Sequence, residues 1–382
     1  MISFSVLTKD SSTAARRGVL ATSHGTIDTP AFMPVGTHGA VRGVLPDELQ
    51  TIGARMILAN TYHLSLRPGA GTIARAGGLH RFMGWEGPIL TDSGGYQVFS
   101  LSNFRKIDDE GVHFRSHLDG SEIFLTPESA IEIQEQLGAD VAMILDQCPP
   151  YPATREEVAS AVERTQHWAR RCRDRAKRPD QALFGIVQGG IFPDLREESL
   201  AGLLPLGFEG MAIGGISVGE PRSLQRRVVE HLAPRLPSDT PRYLMGVGFP
   251  DDILDAVAAG IDLFDCVVPT RHGRNGSVFT RDGLINIRNA TFAEDFRPFD
   301  ENCPCTACTG FTRAYARHLI LAGEMVGARL CTLHNLSFYL DLLAGSRRAI
   351  ESGTFESFRR DFLDRFPRSP ETPSASRKTE TP

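Results

Sequence analysis

"DLFDCVVPT", residues 262–270, is the stretch whose reading decides the fold. After Asp262 a short apolar run carries one further acidic residue, Asp265, and stops at Pro269 and Thr270, the pattern of a buried strand with a polar group near its end. Seven runs of the same kind precede it: "PAFMPVGT" from Pro30, "RMILANT" from Arg55, "PILTDSG" from Pro88, "VAMILDQ" from Val141, "ALFGIVQGG" from Ala182, "MAIGGIS" from Met211 and "RYLMGVG" from Arg242. Between them lie amphipathic segments such as "LPDELQTIGA", "TPESAIEIQEQLGA" and "FPDDILDAVAAG", which open on Thr, Pro or Asp and close on Gly. Eight strands alternating with helices point to an α/β fold of the (β/α)8 TIM-barrel type. An open doubly wound sheet has the same local rhythm and is the alternative. The eighth run is what favours closure.

Two excursions interrupt the alternation. "GVHFRSHLDGSEIFL" and "SVFTRDGLINIR" each alternate around an Asp-Gly pair and read as β-hairpins decorating the barrel. The chain therefore divides into a barrel over 1–275, a subdomain with closing helices over 276–366, and a tail over 367–382. The tail is rich in Pro, Ser and Thr and is expected to stay disordered.

Composition narrows the function classes. At 382 residues with 41% hydrophobic and 23% charged residues, the chain has enough apolar content for a large core, which argues against general disorder. The N-terminus has no apolar leader, and no stretch approaches the length of a membrane span, so a cytoplasmic protein is expected. Seven cysteines without a secretion signal argue against a disulfide framework and for metal. The net charge of -5 is no global signature of nucleic-acid binding; "ARRCRDRAKR", residues 169–178, is a candidate basic patch or the solvated face of a helix.

In such barrels the chemistry sits at the C-terminal strand ends. These ends carry Asp92 and Ser93, Asp146, Gln188, Gly214 and Gly215, Gly246, and Asp265. Carboxylates, an amide and glycine-exposed backbone suit recognition of a flat polar heterocycle, and a further pair of carboxylates suits chemistry at a glycosidic carbon.

"TDSGGYQVFSL", "LDQCPPYP", "GIVQGG", "GGISVGE", "LMGVGFPDD", "FDCVVPTRHGRNG" and "CPCTACTG" with "CTLHN" together resemble the tRNA-guanine transglycosylase (queuine tRNA-ribosyltransferase) family, in order from about residue 3 to 345. The resemblance implies a barrel with an inserted zinc subdomain that exchanges guanine at the tRNA wobble position for a 7-deazaguanine. It implies that Asp265 is the nucleophile at ribose C1′ and Asp92 the acid/base. Base binding would fall to Asp92, Ser93, Gly94, Gly95, Tyr96, Asp146, Cys148, Gln188, Gly214, Gly215 and Met245. Cys148 and Val218 resemble the bacterial enzymes, whose incoming base is preQ1, and Glu220 would orient backbone toward its ammonium. Gln147 and Pro149 depart from the acidic residue and the Thr of the bacterial pattern, which leaves the local rim open.

Contacts to the anticodon loop, around a UGU segment, would come from Gly246, Val247, Gly248, Phe249, Pro250, Asp251 and Asp252, and from Thr270, Arg271, His272, Gly273 and Arg274. Cys303, Cys305 and Cys308 form C-x-C-x2-C and need a fourth ligand, for which spacing leaves Cys331 and His334 open. The resemblance assigns His334, one structural Zn2+ per subunit, and a homodimer. The competing readings are a non-catalytic tRNA-binding partner subunit, against which the presence of both Asp92 and Asp265 speaks, and a zinc-dependent hydrolase, which would want His or carboxylate ligands at several strand ends, where only carboxylates are available.

Overall fold

The computed structural model describes residues 2–96 and 105–368. The last five residues of "TDSGGYQVFSL" and residues 369–382 of the expected tail lie outside the described residues. The chain opens with an antiparallel sheet of β1 (Ser3–Lys9), β2 (Arg16–Thr22) and β3 (Gly25–Thr29). The alternation of β1 is between exposed and half-buried positions only, so no strongly apolar face announces it in the sequence.

Each of the eight apolar runs forms a barrel strand. They are β4 (Ala31–Gly36), β5 (Ile57–Ala59) and β6 (Ile89–Thr91), followed after an antiparallel insertion of β7 (Arg105–Asp108), β8 (Gly111–Arg115) and β9 (Glu122–Leu125) by β10 (Val141–Met143), β11 (Ala182–Val187), β12 (Gly210–Ile213), β13 (Arg242–Leu244) and β14 (Leu263–Cys266). The decisive pairing is the last one. β14 lies parallel to β4 with Leu263 opposite Ala31 and Cys266 opposite Pro34, which closes the barrel and removes the open-sheet alternative. β5, β6 and β10 to β13 are buried along their whole length, as parallel strands covered by helices must be.

Helices follow where the sequence signals them. Thr126 and Thr154 accept backbone N–H bonds from Ser129 and Glu157 and start the helices Pro127–Leu137 and Arg155–Arg175. The second of these carries the basic run. Arg171 pairs with Glu128 at 2.7 Å, Arg173 with Glu209 at 3.0 Å, and Arg175 with Glu132 and Glu135 at 3.1 Å. Four of the six cationic side chains of the run, Arg171, Arg173, Arg175 and Arg178, are thus ion-paired.

After β14 come the short helix Val268–Arg274, the hairpin of β15 (Ser277–Thr280) and β16 (Gly283–Asn286), and then the long helix Met325–Glu351. That helix packs back on β1, β2 and β4, so Leu336, Tyr339 and Leu343 belong to the main core. The intervening segment has a core of its own, built from Val278, Ile287, Phe299, Leu319, Ile320 and Cys331 around the clustered cysteines. No described helix is long and apolar enough to cross a membrane.

Candidate active site and metal centre

Two carboxylates dominate the C-terminal mouth of the barrel. Asp92 follows β6, and three donors converge on it: Thr61 N–H at 2.9 Å and Gly94 N–H at 3.1 Å on Oδ1, and the Asn60 amide at 2.5 Å on Oδ2. Burial nevertheless pushes its pKa up to about 7, and the negative charge of Asp265 adds to the rise against the hydrogen bonds. Asp265 lies within β14. It accepts from the Tyr243 hydroxyl at 2.6 Å and from Gly246 N–H at 2.9 Å. Both bonds fall on Oδ1, which leaves Oδ2 without a hydrogen-bond partner among the described residues. Burial raises its pKa, while the Tyr243 and Gly246 bonds oppose the rise. The barrel thus brings two carboxylates within electrostatic reach of each other and gives them different partners.

Beside them is a polar floor. Asp146 follows β10; Gln188 donates its amide to Oδ2 at 2.6 Å and Ser93 its hydroxyl to Oδ1 at 3.3 Å, while burial raises the Asp146 pKa to about 6. The other end of that amide, Gln188 Oε1, is buried with no hydrogen-bond partner. A buried unsatisfied acceptor costs about 1–3 kcal/mol, so this oxygen marks a place where a donor is missing. Gly215 has φ +64° and a side chain there would meet Gln188 Oε1 at 2.1 Å. At Gly95 an added Cβ would meet the Asp146 carbonyl at 2.8 Å. Glycine is required at both places, and both leave backbone edges facing the floor. Met245 is half-buried and lies beside Gly214, while Tyr96 is 49% exposed and Cys148 is buried.

The rim residues are accounted for by their neighbours. Glu220 accepts from the backbone N–H of Ser217 and, at 3.0 Å, from that of Val218, and Ser217 is the one non-glycine among the described residues with positive φ. Gln147 turns its amide oxygen to Arg164 of the helix Arg155–Arg175 at 2.6 Å.

Sequence reading passed over three residues of this site. Asn60 closes the run before it and follows the same rule as the aspartates. Tyr243 sits inside a strand, where an aromatic reads as core. Arg196 has no sequence signal at all: fully buried, it donates to the carbonyls of Val187, Gly190, Gly214 and Gly215 at 2.6–3.2 Å, and burial lowers its pKa to about 10. It holds two strand ends and the Gly214–Gly215 backbone in one geometry.

Of the stretches expected to meet RNA, Gly246, Val247, Gly248 and Phe249 lead into the helix Pro250–Ala258 next to Asp265. Gly248 has Cys266 Sγ only 1.7 Å from where its Cβ would be. Asp251 and Asp252 are buried among the first residues of that helix and pair with Arg222 at 2.8 and 2.5 Å, which anchors the start of the helix. Thr270 to Arg274 lie in the helix Val268–Arg274; Thr270 and Gly273 are buried, His272 sits edge-on to Phe249 and Phe279, and Arg271 is exposed.

The metal-ligand set is separate from this mouth. Cys303, Cys305, Cys308 and His334 place four ligand atoms within 4.8 Å of one another. His334 Nε2 donates to the Phe279 carbonyl at 2.7 Å, which turns Nδ1 toward Cys308 at 3.2 Å and Cys305 at 3.7 Å. The neighbouring thiols Cys305 and Cys308 hold Cys303 below the ordinary thiol range. Three sulfurs and an oriented imidazole fit a closed tetrahedral Zn2+ site. Cys331 stays outside it, buried in the small core, where burial pushes its pKa up to about 12.

Comparison with known proteins adds to this geometry. A family profile described as "Queuine tRNA-ribosyltransferase" matches residues 10–368. The chain is 56% identical over 365 residues to a Queuine tRNA-ribosyltransferase of Pelotomaculum thermopropionicum, covering 96% of this chain and 99% of that one. It is 54% identical to one of Desulforamulus reducens, over 94% and 97%, and 56% identical to one of Nitrosomonas europaea, over 91% and 94%. With a closed barrel, paired carboxylates at its mouth and a match over nearly its whole length, this chain belongs to the queuine tRNA-ribosyltransferase family.

Proposed function

We propose that the protein exchanges guanine at wobble position 34 of GUN-anticodon tRNAs for preQ1 by double displacement. The observation that carries this reading is the unequal pair of carboxylates. Asp92 has its pKa near 7, where it can hold or release a proton, and Asp265 keeps Oδ2 without a partner while Tyr243 and Gly246 support its charge on Oδ1. In the first half, Asp265 Oδ2 attacks ribose C1′, the C1′–N9 bond breaks, and Asp92 gives its proton to the departing guanine. In the second half, Asp92 takes the proton from the incoming base, whose nitrogen attacks C1′ and returns the bonding pair to Asp265. Two inversions give retention at C1′.

The floor suits the base. Asp146 accepts from the amino and imino edge, Gly215 backbone reaches the carbonyl, and Gln188 Oε1 takes the donor it lacks. Tyr96 and Met245 wall the ring. Glu220 orients the Ser217–Val218 peptide toward the aminomethyl group, which favours preQ1 over the larger queuine. The backbone of Gly246 to Phe249 and the exposed Arg271 receive the anticodon loop, with the target nucleotide turned out of its stack.

The barrel is assigned to 1–275, the zinc subdomain and closing helices to 276–366, and the tail to 367–382. Zn2+ held by Cys303, Cys305, Cys308 and His334 is structural: the set leaves no open position and supplies no chemistry to the exchange. A homodimer is supported by the exposed apolar residues Tyr315, Leu321, Met325 and Val326 on adjoining helices. A cytoplasmic site of action follows from the tRNA substrate. The test is incorporation of labelled guanine into tRNA bearing a UGU anticodon segment, competed by preQ1 and by queuine. Incorporation by the zinc-loaded protein that preQ1 suppresses far better than queuine is expected; no incorporation would overturn the assignment.

A further inference from the structure

At the opposite end of the barrel from the carboxylate pair, three potential metal ligands meet. Asp140 immediately precedes β10 and is fully buried. Its backbone N–H bonds the Ile89 carbonyl, and its Oδ2 accepts the Ile89 N–H at 2.9 Å, so it joins the starts of β6 and β10. His24, in the turn between β2 and β3, aims Nδ1 at Asp140 Oδ1 at 2.8 Å, and His80, on the helix Leu79–Met83, aims Nε2 at Oδ2 at 3.2 Å. The two imidazoles stack with centroids 3.6 Å apart.

A buried carboxylate is expensive unless a cation offsets its charge. Among the described residues the ion-pair partners of Asp140 are these two imidazoles and no Lys or Arg; Arg178 and Asp180 act on it only at longer range.

We propose that His24, His80 and Asp140 form a second metal site, which takes a divalent transition ion of the zinc class. The ligand atoms all lie within 4.8 Å of one another. The 2.8 and 3.2 Å separations compare with about 3.3 Å between ligands at a tetrahedral ion with bonds of about 2.0–2.1 Å. Two imidazoles and one carboxylate are the donor set that suits zinc, whereas calcium and magnesium prefer oxygen alone. His24 is 40% exposed, which gives the ion an entry path and leaves the fourth position to water. On binding, the proton that each inner nitrogen directs at Asp140 moves to the outer nitrogen, and the rings turn out of their stack so that both inner lone pairs meet the ion. Because the site joins the β2–β3 turn to the strand starts, far from the carboxylate pair, its role is to fasten the hairpin sheet to the barrel floor.

The test is zinc counted per chain by elemental analysis after equilibration with buffered micromolar Zn2+, for the full protein, His24→Gln and His80→Gln. Two equivalents for the native chain and one for each variant are expected. Added Zn2+ should also raise the melting temperature of the native chain above that of His24→Gln. His24→Gln changes an exposed turn, so retention of its first equivalent shows that the cysteine cluster and the fold are intact. One equivalent in the native chain, or a second equivalent held equally by His24→Gln, would overturn the proposal.

Discussion

Tyr243→Phe removes a single oxygen from a fully buried ring and with it the 2.6 Å bond to Asp265 Oδ1. A hydrogen bond to a charged acceptor contributes roughly 1.5–3 kcal/mol, and one pH unit corresponds to about 1.4 kcal/mol, so the loss amounts to about one to two pH units in the ionisation of Asp265. The sign follows from which form is favoured. The hydroxyl supports the carboxylate, so its removal raises the Asp265 pKa further above its ordinary value, in the direction that burial already drives it. Attack on C1′ needs the ionised form. The acid limb of the kcat/KM profile for guanine exchange should therefore move up by about one to two pH units, and activity at low pH should fall about tenfold per unit below the limb. Gly246 N–H stays in place, so turnover should survive on the plateau. An acid limb at the same pH in the variant, with the fold intact by circular dichroism, would refute the role given to Asp265.

The other predictions concern the remaining parts of the site. Asn60→Ser keeps an oxygen to cap the helix Thr61–Leu66 but removes the amide donor to Asp92; the Asp92 pKa, already about 7, should rise, and the alkaline limb of guanine release should move to higher pH, with stability changed by less than about 1 kcal/mol. Gly215→Ala places a Cβ 2.1 Å from Gln188 Oε1 at positive φ; KM for the incoming base should rise at least about tenfold while KM for tRNA stays near native, as steady-state kinetics with each substrate varied will read out. Arg196→Met strips donors from four carbonyls and should cost roughly 3 kcal/mol or more in urea unfolding. His334→Ala should release the structural zinc and destabilise the segment around Phe299 and Ile320, whereas Asp265→Asn should keep zinc and lose exchange, which metal analysis and activity measured side by side will separate.

The barrel is legible in the chain because parallel strands buried on both faces must be mainly apolar, and all eight runs, from "PAFMPVGT" to "DLFDCVVPT", are dominated by apolar residues. The polar residues at or near the ends of those runs are legible for the same reason: Asp92, Asp146, Gln188 and Asp265 depart from the apolar pattern around them. What the chain conceals is support that acts through space. Tyr243 looks like one more strand aromatic until its hydroxyl meets Asp265 across the β13–β14 pair. Arg196 lies on a helix whose sequence, "PDLREESLAGL", reads as solvated, yet its guanidinium reaches under two strand ends. The carboxylates of "FPDDILD" show the same limit. As sequence they belong to an RNA-facing motif; in the fold they are buried against Arg222. Pairing of the run around Arg171 to Arg175 was equally invisible, since its partners Glu128, Glu132 and Glu135 stand about 40 residues away.

The central claim is that Asp265 forms a covalent bond to the ribose once guanine has left. Mass spectrometry of the protein mixed with a UGU-anticodon tRNA stem-loop, denatured before a free base is added, tests it most directly. A protein–RNA adduct that lacks one guanine, maps to the peptide containing Asp265, and is absent from Asp265→Asn is the predicted result. An adduct formed by Asp265→Asn, or exchange-competent native protein whose adduct maps to Asp92, would contradict it.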